Sequence, residues 1–220
     1  MTWHIFSGWR QPRVIATTLA FGAMAACGGG GGGDPVEDPG PQASAVDVPP
    51  TASGLRGATD DLLDTWVPNG QPNYTTLATV PSTGSASFNG FVFGDLSDQS
   101  EADSLIGRLA LTARFSADST TFTGSATDFV DQDDAPLSGS LLASGGTLNR
   151  GGNPASDATL RGISLDGDLR AGDGTTFEMG LTLEGDFLGA TANAIGGEAL
   201  GRVDVGSQTI DFDGGFIVAE

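Results

Sequence analysis

Between Phe177 and Phe187 the large apolar side chains fall on every second residue. Phe177, Met179, Leu181, Leu183 and Phe187 alternate with Glu178, Gly180, Thr182, Glu184 and Asp186. A period of two is the mark of a strand with one buried face, whereas an amphipathic helix repeats near 3.6. The same alternation runs from Leu105 through Leu109, Leu111 and Ala113 to Phe115, and resumes at Phe122, Gly124 and Ala126 beyond a turn at Ala117-Asp118-Ser119. Further strands are expected over 85–93, 136–143, 159–169, 194–203 and 210–218, with turns at Gly145-Gly146, 150–154 and 172–174 marked by Gly, Asp and Asn.

About eight short antiparallel strands with no helical period between them must close into a barrel or split into a sandwich. Glycine decides between the two. The chain has 35 Gly, and Gly90, Gly107, Gly124, Gly139, Gly162, Gly180 and Gly201 fall inside strands, where Gly permits tight bending and close approach in a small barrel. The expected fold class is therefore all-β, an antiparallel barrel of about eight strands. At that strand number the interior is just wide enough to be filled by side chains or to hold one small ligand. A membrane-spanning barrel would carry aromatic girdles at both interfaces. Beyond residue 26 the chain has one Trp, Trp66, and one Tyr, Tyr74, and neither falls in an expected strand.

The N-terminus reads differently. Arg10 and Arg13 precede an uncharged apolar stretch ending in Met24-Ala25-Ala26-Cys27. At about 13 residues the stretch has signal-peptide length and falls short of the ~20 that span a bilayer. Small residues before the only Cys of the chain resemble the lipobox of bacterial lipoproteins, with Met24 where Leu is usual. That resemblance implies cleavage before Cys27 and acylation of its thiol. Several acyl chains hold a protein stably where one does not. Gly28, rather than Asp, after the Cys implies the outer membrane by the same resemblance. The segments expected are a signal peptide over 1–26, a lipidated Gly/Pro/Asp-rich tether over 27–58, a short helix or lead-in over 59–72 and the barrel over 73–220. Six Gly at 28–33, then Asp34-Pro35, Pro39-Gly40-Pro41 and Pro49-Pro50, cannot bury a core. Some 30–40 such residues have an rms reach of roughly 30–35 Å. The expected helix starts at Thr59 as N-cap, places Asp60 and Asp61 in its first turn and stops before Pro68. Leu62, Leu63 and Trp66 would plug the barrel or lean on it.

The charge excludes one class of partner and the residue types exclude several kinds of catalysis. Nine basic residues, all Arg, stand against 28 acids, for a formal charge of −19. Nucleic-acid affinity comes mostly from basic contacts to phosphate, so no nucleic-acid partner is expected. One Cys allows no internal disulfide framework and no Cys-based zinc site. Cleavage before Cys27 would remove His4, the only His, and the chain has no Lys. Ser–His, Cys–His, Ser–Lys and Schiff-base schemes then lack their base or nucleophile, and the chain is expected not to be an enzyme. Asp131-Gln132-Asp133-Asp134 and Asp166-Gly167-Asp168 are oxygen-rich clusters of the kind calcium takes. They read better as solvated turn acids, and no metal or cofactor is expected. Tyr74 is the one residue able to offer an axial oxygen to haem.

A resemblance carries the functional expectation. Residues 185–201 run Gly-Asp-Phe-Leu-Gly, a small-residue turn, then Ile195-Gly196-Gly197 and Gly201. This is similar to the strand–turn–strand signature of the transferrin-binding-protein B type β-barrel surface lipoproteins. Residues 82–90 resemble that family's opening strand, and 109–115 with 122–124 its next hairpin. Ala194 departs from the pattern, which has Glu or another polar residue there. The likeness covers about 80–220 and a single barrel. It implies a surface-exposed lipoprotein that binds a host protein or a haem or iron carrier, with its membrane contact made through the lipid anchor. Transferrin binding itself does not carry over. The alternatives are a periplasm-facing structural or envelope-interaction lipoprotein and a lipocalin-like small-ligand carrier. Cys27 is the one residue assigned a role; the ligand-binding residues are not legible in the sequence.

Overall fold

The computed structural model describes residues 48–97 and 102–220. A helix, α1 (Ala52–Trp66), and a 3₁₀ turn (Pro68–Gly70) precede eight strands: β1 (Gly84–Ser97), β2 (Ala102–Phe115), β3 (Thr120–Asp131), β4 (Pro136–Leu148), β5 (Thr159–Arg170), β6 (Thr176–Leu188), β7 (Ala194–Val205) and β8 (Gln208–Ala219). Each strand pairs antiparallel with the next, and β8 returns to β1 to close the barrel. The closing seam runs from Asn89↔Ala219 to Ser97↔Asp211. Closure leaves no unpaired sheet edge.

The alternating residues line the interior. Phe88, Leu109, Leu111, Phe122, Leu141, Leu165, Leu183, Phe187, Phe212 and Phe216 are all at most 2 % exposed and form one cluster. Phe187 is its hub: its ring centroid lies 6.2 Å from Phe88, 6.2 Å from Phe115 and 6.3 Å from Phe122. Offset and edge-on aromatic pairs at such separations add to the burial of area. The in-strand glycines make this filling possible. At Gly107 a Cβ would stand 2.7 Å from the Phe129 ring, and at Gly94 2.6 Å from the Phe212 ring. Each phenyl group therefore takes the space that a neighbouring side chain would otherwise need.

Two features differ from the sequence expectation. Gly145 and Gly146 lie inside β4 rather than in a turn, at φ of 81° and 74°. A Cβ on Gly146 would meet Ile163 at 2.5 Å and Phe122 at 2.9 Å, so a strand irregularity there seats core side chains. The helix begins at Ala52, well inside the segment read as tether and before the Thr59 start. Thr51 is the N-cap, its side chain accepting from the Gly54 N–H. Thr59 is buried mid-helix and donates to the Leu55 carbonyl. Asp60 and Asp61 consequently lie in the C-terminal half, and the first turn has no acid. Tertiary burial of Ala52 and Leu55, at 2 % and 0 % exposure, extends the helix past two glycines that disfavour it.

The helix leans on the barrel wall, against β1, β2 and β8, and plugs nothing. The plug comes from the chain after it. Leu77 and Val80 belong to the interior cluster, and residues 75–78 are pinned across one barrel mouth. Thr75 N–H donates to Phe187 O at 2.9 Å, Leu77 N–H to Ser156 O at 2.8 Å, and Ala78 N–H to Pro154 O at 3.0 Å. The Thr75 hydroxyl donates to the Gly189 carbonyl at 2.6 Å. None of the described helices is long and apolar enough to cross a membrane.

Candidate functional site

With the interior filled and one mouth covered, the surfaces available for contact are the outer wall and the loops. On the side away from α1, the register of β4 to β7 determines which outward residues meet. Asp168 faces Glu178 across β5–β6, and Glu178 faces Asp204 across β6–β7. Three carboxylates thus stand in a row across three strands, an arrangement that destabilises a sheet through like-charge contact. One residue pair further along, Leu142 faces Asp166, Asp166 faces Gly180, and Gly180 faces Arg202. Arg202 in turn approaches Asp211 across β7–β8, with Nε–Oδ1 3.8 Å and both side chains well exposed. Leu142 and Leu200 are 65 % and 45 % exposed on this wall. An open hollow of about 410 Å³ lies at its end, lined by Thr175, Thr176, Glu178, Asp204, Val205 and Gly206. The wall therefore offers carboxylates, hydroxyls, two exposed guanidinium groups (Arg161 and Arg202) and two apolar side chains to a partner.

A second hollow, of about 210 Å³, lies on β1–β3 between Asn89, Arg108, Ser125, Thr127 and Asp128. Arg108 is the most buried charge there. Its Nε stands 3.2 Å from Asp128 Oδ2, its Nη2 donates to the Val48 carbonyl, and its Nη1 is buried without an acceptor. Asp128 reaches the guanidinium from a bulge in β3, where its φ is 53°. With Asp128 53 % exposed, this ion pair is worth about 0–1 kcal/mol.

The sequence-singled acids serve turns. Asp131 Oδ1 accepts from the N–H groups of Asp133 and Ala135 at 2.9 and 2.8 Å, and an Asp134 carboxylate oxygen accepts from the Ala52 N–H. Asp173, in the β5–β6 turn, is held below the usual carboxylate range by hydrogen bonds from Thr175, the backbone N–H first. Among the described residues no three His, Cys, Asp or Glu converge as metal ligands. Asp166 and Asp168 stand on the outer wall with Gly167 between them. Tyr74, half-buried, forms an isolated bridge with Leu188 beside the plug. Trp66 packs over Gly189, whose Cβ would lie 2.6 Å from Cζ3 of its ring. Cys27, the signal peptide expected over 1–26 and residues 27–47 of the expected tether lie outside the described residues.

No family model and no curated protein matches this sequence. The site therefore rests on geometry alone. Sequence reasoning missed the carboxylate row because its members are far apart in the chain. Only the strand register makes them neighbours, and a pairing shifted by one residue would turn each to the other face.

Proposed function

We propose that this chain is a lipid-anchored binding protein of the bacterial outer membrane, held through Cys27, with a non-catalytic barrel that meets its ligand on the outer wall and loops. The observation that supports this most is the filled interior. Phe187 packs against three other phenylalanines inside the barrel beneath the covered mouth, and Leu77 and Val80 close over that mouth. This favours contact on the outside over carriage within. The wall of β4 to β7, with Asp166, Asp168, Glu178 and Asp204 around exposed Leu142 and Leu200, suits a basic protein partner, since complementary charge steers association. A host protein or a haem or iron carrier is the ligand class that the resemblance to the transferrin-binding-protein B barrels suggests.

The test is protease shaving of intact cells with a tag near Glu220 and a lysed control. Cleavage on intact cells supports the surface reading. Protection until lysis refutes it and leaves the periplasm-facing alternative. A Cys27→Ala variant should move from the detergent to the aqueous phase on partitioning, and retention in the detergent phase would refute the lipid anchor.

A further inference from the structure

The bulge in β3 puts a carboxylate where strict alternation would not. Ala126 and Phe129 stand three residues apart, yet both belong to the interior cluster. Two residues, Thr127 and Asp128, therefore lie on the outer face between them, one more than the pleat allows. Asp128 is the only non-glycine residue at positive φ inside the described strands. Strain of this kind gathers at sites that hold a ligand. Seating Phe129 over Gly107 requires the extra residue but no charge on it. The charge serves Arg108, which the register sets opposite Thr127 and which the Asp128 carboxylate reaches from the bulge.

The same register gathers three more polar side chains around this pair. In the neighbouring row Asn89 faces Ala110, and Ala110 faces Ser125. Ala110 contributes only a methyl group between two longer side chains, so the surface sinks there into the hollow of about 210 Å³. Among the described residues, the Asn89 carboxamide and the Ser125 and Thr127 hydroxyls have no hydrogen-bond partner. Arg108 Nε and Nη2 are engaged by Asp128 and the Val48 carbonyl, but Nη1 is buried without an acceptor. A buried donor left unmade costs stability, and a bound group that accepts from it removes that cost.

We propose that this hollow is a saccharide site that holds one neutral sugar ring. The charge of Arg108 is already met by Asp128, and the chain carries −19. An anion therefore gains little at the guanidinium and is repelled at longer range. Guanidinium, carboxylate and carboxamide are each planar, with two polar atoms side by side. That spacing matches two neighbouring hydroxyls of a sugar ring, each of which both donates and accepts. The Ser125 and Thr127 hydroxyls give and receive in the same way, and the Ala110 methyl offers a floor to the C–H face of the ring. A few convergent polar groups around such a floor are what fix the orientation of a small ligand. A free sugar and the terminal unit of a glycan present the same chemistry. The site lies on β1–β3 and rests neither on the β4–β7 wall nor on the lipid anchor.

The test is a titration of the whole chain, followed by NMR, with the methyl glycosides of glucose, galactose and mannose, and with inorganic phosphate and acetate as anionic controls. At least one glycoside should bind saturably with a Kd of about 1–10 mM, as a ligand of so few atoms allows. It should shift the Arg108 Nε–H signal and the amides of Asn89, Ser125 and Thr127, and leave Thr182 on β6 unmoved. Asn89→Ala and Ser125→Ala should each weaken binding about threefold to tenfold, the loss of one hydrogen bond, with the urea midpoint unchanged. Ser164→Ala on β5 should leave binding as it is. The same sugar displayed on a polymer binds equally well per ring if the ligand is a glycan end, and fails to bind if it is a free sugar. The proposal is wrong if no glycoside gives a saturable shift up to about 50 mM, several times the expected Kd. It is equally wrong if the shifts lie away from the hollow, if both alanine variants bind unchanged, or if phosphate or acetate binds there in place of the glycosides.

Discussion

Replacing Gly107 by alanine should destabilise the barrel, and the penalty should disappear once Phe129 gives up its ring. The added Cβ would stand 2.7, 2.7 and 2.8 Å from Cδ1, Cε1 and Cγ of Phe129, where carbon atoms ordinarily rest about 3.5–4.0 Å apart. The ring would have to retreat by about 1 Å. At 2 % exposure inside the main cluster it can retreat only into neighbours that are close-packed. Overpacking of this kind costs about 1–3 kcal/mol. Against it stands the about 0.5–1 kcal/mol that Ala gains over Gly in a strand, so the single variant should lose about 1–2 kcal/mol. Phe129→Val removes the ring and costs less than the about 3–5 kcal/mol typical of Phe→Ala. In that background the clash is gone, and Gly107→Ala should be neutral or slightly stabilising. The expected coupling is about 1.5–3 kcal/mol in favour of the pair. Chemical denaturation of the four proteins, with m unchanged across them, measures it. If Gly107→Ala costs the same with and without the ring, the exchange of glycine for aromatic volume is not what shapes the interior.

Three further outcomes are expected. Phe187→Ala, which removes the ring that touches Phe88, Phe115 and Phe122, should cost about 3–5 kcal/mol, read as a shift of the denaturation midpoint. Gly57→Ala, exposed and unobstructed in α1, should instead stabilise the protein by about 0.5–1 kcal/mol, and a loss of stability would show that the helix is not seated as described. The docking of α1 should tighten on acidification. Burial first, then the charges of Asp64 and Asp61, raise the Asp60 pKa above its ordinary value. The folded state therefore holds this proton more firmly than the unfolded state. The resulting stability is complete below the unfolded carboxylate value and is lost as pH rises through the folded one. Hydrogen exchange of the α1 amides should slow as pH falls through that window, after correction for intrinsic rates, and Asp60→Asn should flatten the dependence.

Much of this was legible because period-two alternation is a local signal. The strands expected at 177–187, 194–203 and 210–218 all appear, extended by one to a few residues at their ends. The reading of Gly145-Gly146 as a turn failed because positive φ in a glycine pair suits a turn and a strand irregularity equally well. Only the presence of Ile163 and Phe122 beside Gly146 distinguishes them. Whether Leu62 and Leu63 plug the barrel or lean on it was left open by the sequence; they lean on the wall, and Leu77 and Val80 are the ones carried over the mouth, by backbone bonds from 75–78 to Phe187, Ser156 and Pro154.

The sequence by itself determined that this chain is antiparallel β, about how many strands it has and which face of each is apolar, since side-chain alternation follows from the pleat alone. It also determined that glycine would be needed where strands bend or approach closely. Tertiary structure decided everything that depends on who stands opposite whom. The pairing of β8 with β1 closed the barrel, and the register set Phe129 over Gly107 and aligned Asp168, Glu178 and Asp204 on the wall. Burial against that wall, rather than capping or propensity, carried α1 back to Ala52 through two glycines. A helix this short and this poor in helix formers gains its stability from the surface it covers, and that surface exists only once the barrel has closed.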